Sequence, residues 1–409
     1  MEINIVYYKN INIKLERNII MDVIIGRYRN GNVKRECYYN DYKYHREDGP
    51  AQIEYYENGN IKIEQYYIND EYHREDGPSC IEYYENGNVK IERYYINSKL
   101  HRKDGPAHIE YYENGNIQYE SYYINGKCHK ENGPAMIRYY KNGNIKRACY
   151  YNNYKYHRED GPAQIDYYEN GNIKIERYYI NDKYHREDRP ACIEYYENGN
   201  IELERYFIND KYHRDDGPAY IEYFENGNIE LEKYFINGTL YRKDKPVIIH
   251  YYDNNNIRIE RYYINDKYHR EDGPACIEYF ENGNVESKYY YINGELHREG
   301  KPAVIHYYEN GNIELEHYYK NDLQHRDNGP AKIYYGQDCK ILSQYYYMNN
   351  NIISINKYRN VAINELIDLI RHATSKDELY KYILINNIKF KNDEITNLID
   401  SKLIVLKLS

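Results

Sequence analysis

The chain contains no tryptophan, only five phenylalanines and four methionines, and no long apolar run among its 409 residues. No stretch suffices for a membrane-spanning helix. A signal peptide's charged start, apolar run and small-residue cleavage site are also missing, so an intracellular location is expected, not secretion. The seven cysteines are odd in number and lack metal-like spacing. Cys80, Cys192 and Cys276 share one repeat position that Gln52, His108, Tyr220 or Lys332 fills elsewhere. That scatter excludes a disulfide ladder and reads as free thiols in a reducing compartment. The net charge is −9, with both signs interleaved and no basic stripe. A nucleic-acid partner is therefore not expected. Neither a Gly-rich phosphate loop nor Gly-x-Ser-x-Gly nor Cys-x-x-Cys occurs, so no cofactor, metal or nucleophile elbow is implied.

Mean hydropathy is low, at −1.04, which alone suggests disorder. The 61 tyrosines oppose that reading, because disordered chains are poor in aromatics. Tyrosine offers a large ring for burial and a polar tip for water or a hydrogen bond.

Proline supplies the decisive pattern. The eleven prolines, from Pro50 and Pro78 to Pro302 and Pro330, stand at a spacing of 28 residues without deviation. A fixed period of this size marks a small supersecondary unit stacked on copies of itself. Residues 27–351 are read as this array, 1–26 as N-terminal capping strands, and 352–409 as a short C-terminal helical cap or docking region. The expected fold class is an all-β repeat of tandem antiparallel hairpins forming an elongated sheet or a solenoid. About two strands per copy at ~4.8 Å spacing give a body on the order of 100 Å long if all join one sheet. Residues 32–78 match 144–190 at 40 of 47 positions, so blocks of four copies were duplicated whole.

Within the copy at 50–77, two runs rich in Ile and Tyr flank Asn58-Gly59, a strong hairpin signal. A two-residue loop would pair Tyr55 with Lys62 and mix apolar and charged residues on each face. A three-residue loop, 57–59, pairs Tyr55 with Ile61 and Ile53 with Ile63. It gathers Ala51, Ile53, Tyr55, Ile61, Ile63 and Tyr67 on one face, with Gln52, Glu54, Tyr56, Lys62, Glu64 and Tyr66 on the other. The positions of Ile53 and Tyr55 never vary along the array, whereas that of Gln52 drifts freely. The constant face is expected to be packed and the drifting face to meet water. Asn255 replaces the turn glycine once, and Asn tolerates the left-handed conformation best after Gly. A second turn is expected at Asn69-Asp70.

Two features offer chemistry. His45, His73 and their equivalents to His325 recur in every copy, with Tyr241 as the one exception. An aspartate commonly stands three residues later, as Asp48, Asp76, Asp160 and Asp272 do. His and Asp at that spacing can bind a metal or act as acid and base. An active site, however, is one convergent constellation and not many equal ones in a row. The structural reading is stronger: Asp caps the turn before Gly-Pro, and Arg74 pairs with carboxylates of the neighbouring copy. The second feature is an outer row of tyrosines, Tyr56, Tyr84 and Tyr112 with Tyr66, Tyr94 and Tyr122. Such a row can anchor a protein partner, stack sugars, or simply stabilise a thin sheet.

At Tyr55-Tyr-Glu-Asn-Gly59 and Tyr122-Tyr-Ile-Asn-Gly-Lys-Cys-His129 the chain resembles variant MORN repeats. The longer His-Arg-Glu-Asp-Gly-Pro-Ala unit is similar to repeat proteins of giant DNA viruses of amoebae. The resemblance implies an antiparallel hairpin array used for scaffolding and sometimes for membrane association. Here Arg74-Glu-Asp intervenes before Gly77, a departure from the shorter typical unit. For a viral chain the location implied is host cytoplasm or virion. The expected function is a non-enzymatic scaffold or spacer with an unidentified protein partner. A ligand-binding module for lipid headgroups or glycans is the alternative, and the acidic charge disfavours anionic lipid.

Overall fold

Gly59 holds φ +92°, and a Cβ placed there would meet nothing within 4 Å, so its requirement is conformational. Glycine alone enters that region without strain. The Gly59 amide donates to the Tyr56 carbonyl at 3.0 Å, and the Tyr56 amide donates to the Asn60 carbonyl at 2.8 Å. These bonds close the expected loop over 57–59. Asn255 occupies the same place at φ +69°.

The computed structural model describes residues 7–8, 22–152, 154–327 and 329–354. In the copy at 50–77 the hairpin consists of Gln52–Tyr55 and Ile61–Gln65. Tyr55 faces Ile61 as expected, but the register then slips. Glu54 faces Ile63, Ile53 faces Glu64 and Gln52 faces Gln65, leaving Lys62 as a bulge. The expected pairing of Ile53 with Ile63 is therefore corrected. One extra residue moves every later side chain to the opposite face. Ile63 joins Gln52, Glu54 and Tyr56, while Glu64 and Tyr66 join Ile53 and Tyr55. The same slip recurs at Asp166/Tyr167 and at His306/Tyr307.

A second correction concerns the drifting face. Ala51, Gln52 and Ile53 are consecutive and expose 0%, 8% and 8% of their surface. Successive strand residues point to opposite faces, so both faces are covered. Equivalents of Gln52 are buried as well, among them Cys80, Cys192, Ile248 and Val304. Their cover is a second, shorter hairpin in each copy, Tyr67–Ile68 with Glu71–Tyr72. Its turn residues Asn69 and Asp70 hold φ 54° and 68°, the two-residue turn that suits strand twist. This ribbon folds over the Gln52 face, where the Gln65 amide donates to the Tyr72 hydroxyl. Each copy thus contributes four strands, two long and two short. The opposite face is covered by the segment after the ribbon, whose Arg74 guanidinium lies 4.1 Å from the Tyr66 ring centre.

The long strands follow one another in an antiparallel meander, because each second strand pairs with the first strand of the next copy. Ile63, Glu64 and Gln65 face Glu82, Ile81 and Cys80. The chain falls into two units, Met1–Lys211 and Tyr212–Ser409. In the first, the meander starts at Asp22–Arg27, which pairs with Tyr7–Tyr8 on one side and Val33–Asn40 on the other. It runs to Ile201–Arg205. In the second, it runs from Tyr220–Tyr223 to Asn351–Ser354. The helices expected beyond about residue 356 lie outside the described residues, as does most of the expected N-terminal cap. Among the described residues no helix is long and apolar enough to cross a membrane.

Candidate interaction surface

The six tyrosines singled out from the sequence divide between the two faces, because the bulge at Lys62 separates them. Tyr56, Tyr84 and Tyr112 stand beside the hairpin loops. Their hydroxyls donate to the Tyr83, Tyr111 and Tyr139 carbonyls of the following copies, each at 2.8 Å. Lys62 and Lys90 sit 6.0 and 5.7 Å from the Tyr56 and Tyr84 ring centres. Beside them the Asn60 amide donates to the Glu85 carbonyl at 2.8 Å. Tyr66, Tyr94 and Tyr122 lie on the other face. Cations cover them at 4.1, 4.0 and 3.7 Å, from Arg74, Arg102 and Lys130. All six rings are half-buried, and the single outer row expected from the sequence is two rows.

Aromatic ladders run elsewhere, in stretches through the ribbons. Tyr39, Tyr44, Tyr67, Tyr72 and Tyr95 follow one another at ring-centre distances of 4.6, 5.4, 4.3 and 5.0 Å. Another stretch runs from Tyr151 through Tyr156, Tyr179 and Tyr184 to Phe207. Leu100, Cys128, Leu240 and Leu296 stand where the Tyr72 type is absent. The sequence signal was an aromatic on each side of a two-residue Asn-containing turn, which places the two rings directly opposite.

The His-Arg-Glu-Asp segment joins one copy to the next through its histidine. His73 Nδ1 lies 3.0 Å from Asn97 Oδ1, and His45 Nδ1 lies 3.1 Å from Asn69 Oδ1. At His101 the same nitrogen accepts from the Asn125 amide at 3.1 Å. Arg74 does not reach a neighbouring carboxylate, which corrects the sequence expectation. Lying flat on Tyr66, it turns Nε to Asp76 at 2.9 Å and a terminal nitrogen to the Pro78 carbonyl at 3.3 Å. Asp76 is thus engaged chiefly by Arg74, whose hydrogen bond and charge, with a smaller backbone contribution, hold its carboxyl below the usual range. The turns make further links: the Tyr44 amide donates to Asp70 Oδ1 at 2.7 Å, and the Asp70 amide returns to the Tyr44 carbonyl at 3.0 Å.

A third link lies on the Ile53 face. The Tyr83 hydroxyl donates to Glu64 at 2.7 Å, and Tyr111 to Glu92 at 3.0 Å. Burial, with the adjacent carboxylate, pushes both phenols well above their usual pKa.

Asp166 departs from the glutamates found at its position in most copies. Its side chain accepts from Arg147 at 3.2 Å and from Arg177 at 2.6 Å. Burial raises its pKa, but the two guanidiniums outweigh that and leave the carboxyl below the usual range. This stabilisation is present above the unfolded-chain pKa and is lost as pH falls through the lower folded value. Asp166→Ala is expected to cost about 2 kcal/mol, less than a fully buried pair because Arg147 is partly exposed. Amide hydrogen exchange in the strands Gln164–Tyr167 and Ile173–Arg177 would read that loss locally.

Four further groups are shifted away from neutral pH. His250 is pushed down to about 4 by burial and by Arg261, and His317 to about 3 by burial and by Lys332. Burial pushes the Cys128 and Cys276 thiols up to about 11. Among the described residues no group of three His, Cys, Asp or Glu is placed to hold a metal ion. The open grooves repeat one another: Arg46, Asp48, Tyr66, His73, Arg74 and Asp76 line one, and Arg158, Asp160, Tyr178 and Arg186 line its counterpart.

Comparison with known proteins agrees with this geometry. The family described as MORN repeat variant matches nine stretches: 51–69, 79–97, 107–125, 135–153, 163–181, 191–209, 219–237, 275–293 and 303–321. Each stretch begins just after the copy's proline position and ends at the Asn of the ribbon turn. The copy carrying Asn255 falls outside them. No curated protein matches the chain. Among solved structures, the crystal structure of TcdB2-TccC3-TEV matches at 10% identity with a TM-score of 0.12. That match covers 83% of this chain and 19% of the other, and at this level it carries no structural argument. MORN repeats are in general scaffolding or membrane-binding units. With nine matched copies and one hairpin geometry throughout them, the chain belongs to the variant MORN-repeat family.

Proposed function

We propose that this protein is a non-enzymatic scaffold that offers its repeated outer surface to protein partners. One observation carries the reading: the recurring polar side chains are used to join copies. Tyr56 bonds the next copy's backbone, Tyr83 bonds Glu64, and His73 meets Asn97. What remains outward is a set of evenly spaced rows, suited to an extended partner and not to a small substrate. The exposed edges of Tyr56, Tyr84 and Tyr112, each close to the loop residues, are the aromatic part of that surface; Tyr66, Tyr94 and Tyr122 line the opposite groove under their cations. Aromatic edges beside charged residues are what protein interfaces favour.

Cross-linking of the full chain in its native cells, followed by mapping of the linked residues, tests this reading. Protein partners joined at the loop rows or the grooves are the expected outcome. Binding to anionic vesicles with no protein cross-linked would replace it with the lipid-surface reading.

A further inference from the structure

The bulge residues of the long hairpins form a row whose charge reverses along the chain; its lysines, Glu202, Arg258 and Glu314 are exposed, and Gln118, Glu230 and Glu286 are half-buried. In the first unit this position holds Lys34, Lys62, Lys90, Gln118, Lys146 and Lys174, and then Glu202. In the second unit it holds Glu230, Arg258, Glu286 and Glu314, and then Leu342. The neighbouring loop row, by contrast, is mostly acidic in both units, as at Glu57, Glu85, Glu225 and Glu281, with Arg29, Lys141 and Gln337 as exceptions. The lysines lie across tyrosine rings, Lys146 at 5.4 Å from Tyr140 and Lys174 at 5.2 Å from Tyr168, which holds them in a line.

The two rows share one pitch. Copies in both units are 28 residues long, and the same loop bond sets their spacing: Tyr56 to the Tyr83 carbonyl and Tyr308 to the Tyr335 carbonyl, each at 2.8 Å. One exception within the basic stretch 34–174, Gln118, and one within the acidic stretch 230–314, Arg258, then fix a register. With Gln118 opposite Arg258, an antiparallel alignment sets Lys146 against Glu230, Lys90 against Glu286 and Lys62 against Glu314. A parallel alignment on the same pair sets Lys90, Lys146 and Lys174 against Glu230, Glu286 and Glu314. In either direction the one arginine of the acidic row meets the one neutral residue of the basic row.

We infer that the bulge row of the first unit binds the bulge row of the second unit in another copy of this chain. The scaffold reading does not require this, so the two can fail separately. Each exposed pair contributes little alone, but a matched row acts multivalently and sets partner and register.

Sedimentation velocity of the full chain tests the inference. Association is expected at ~0.01 M salt and dissociation at ~1 M, where the screening length falls from about 30 Å to about 3 Å. The triple variant Lys62→Glu, Lys90→Glu, Lys146→Glu should associate at least about tenfold more weakly, as should Glu230→Lys, Glu286→Lys, Glu314→Lys. Mixing the two variants should restore association, because each then supplies what the other lacks. Gln118→Arg should weaken self-association and Gln118→Glu should strengthen it, with an unchanged β-sheet circular dichroism signal showing that both variants remain folded. A chain that stays monomeric at low salt, or triple variants that associate as the unaltered chain does, would overturn the proposal. A monomer that still retains other proteins removes this inference and leaves the scaffold standing.

Discussion

Tyr184→Ala is expected to loosen the ribbons on both sides of it, at a local cost of about 2–3 kcal/mol, while Tyr184→Leu should cost less than about 1 kcal/mol. Tyr184 stacks on Tyr179 at 4.4 Å and on Phe207 of the next copy at 5.0 Å, so truncation breaks the ladder in two places. Full burial would place the cost higher, but the ring is half-exposed. Leucine should be tolerated because the chain itself puts Leu100, Leu240 and Leu296 at this position. A repeat array opens segment by segment, so the measurement is amide hydrogen exchange by region rather than one global midpoint. Protection should fall in Tyr179–Ile180, Lys183–Tyr184 and the adjacent copy, and remain unchanged several copies away. Equal protection in both variants would mean that the ladder contributes packing no better than a methyl group does.

A second large effect is expected at alkaline pH. Tyr55 is pushed up to about 12 by burial and then by Glu36, and Tyr83, Tyr111, Tyr139, Tyr195 and Tyr279 are raised by burial and their own glutamate partners. A folded pKa above the unfolded value of ~10 means that the neutral phenol is favoured by folding. The contribution is complete below about pH 10 and is lost as pH rises through the folded values. Because the pairs repeat along the array, ionisation of one exposes its neighbours to water and to added negative charge. Tyrosinate absorbance should therefore lag that of free tyrosine and then rise together with loss of the β-sheet circular dichroism signal. A gradual titration centred near pH ~10 with the sheet signal intact would contradict these pairings.

How far the sequence led can be judged residue by residue. Asn58-Gly59 announced its loop because only a few residue types accept the left-handed backbone, and Asn255 confirmed the rule by its identity. The slip at Lys62 had no such marker, since any residue can bulge out of a strand, and everything beyond it was assigned to the wrong face. Free drift at the Gln52 position suggests exposure, yet most of the side chains there are buried. The residues that drift there include Cys, Ile, Val and Met, a set that tolerates burial, and the ribbon that covers them is too short to show a strand pattern of its own. The role of His73 depended on Asn97 in the next copy, a contact 24 residues away that spacing alone does not reveal. The tyrosine rows were legible as periodicity, whereas their division between two faces needed the bulge.

The most direct test of copy-to-copy use of these side chains is a double-mutant cycle on Tyr195 and Glu176, whose hydroxyl and carboxylate meet at 3.0 Å across two copies. Tyr195→Phe, Glu176→Gln and the double variant would be compared by hydrogen exchange in Ile173–Arg177 and Cys192–Tyr195. A coupling of about 1 kcal/mol is expected for a half-buried hydrogen bond to a charged acceptor. Single variants without effect, or effects that add within ~0.3 kcal/mol, would show that the two groups do not hold the copies together and would contradict the account.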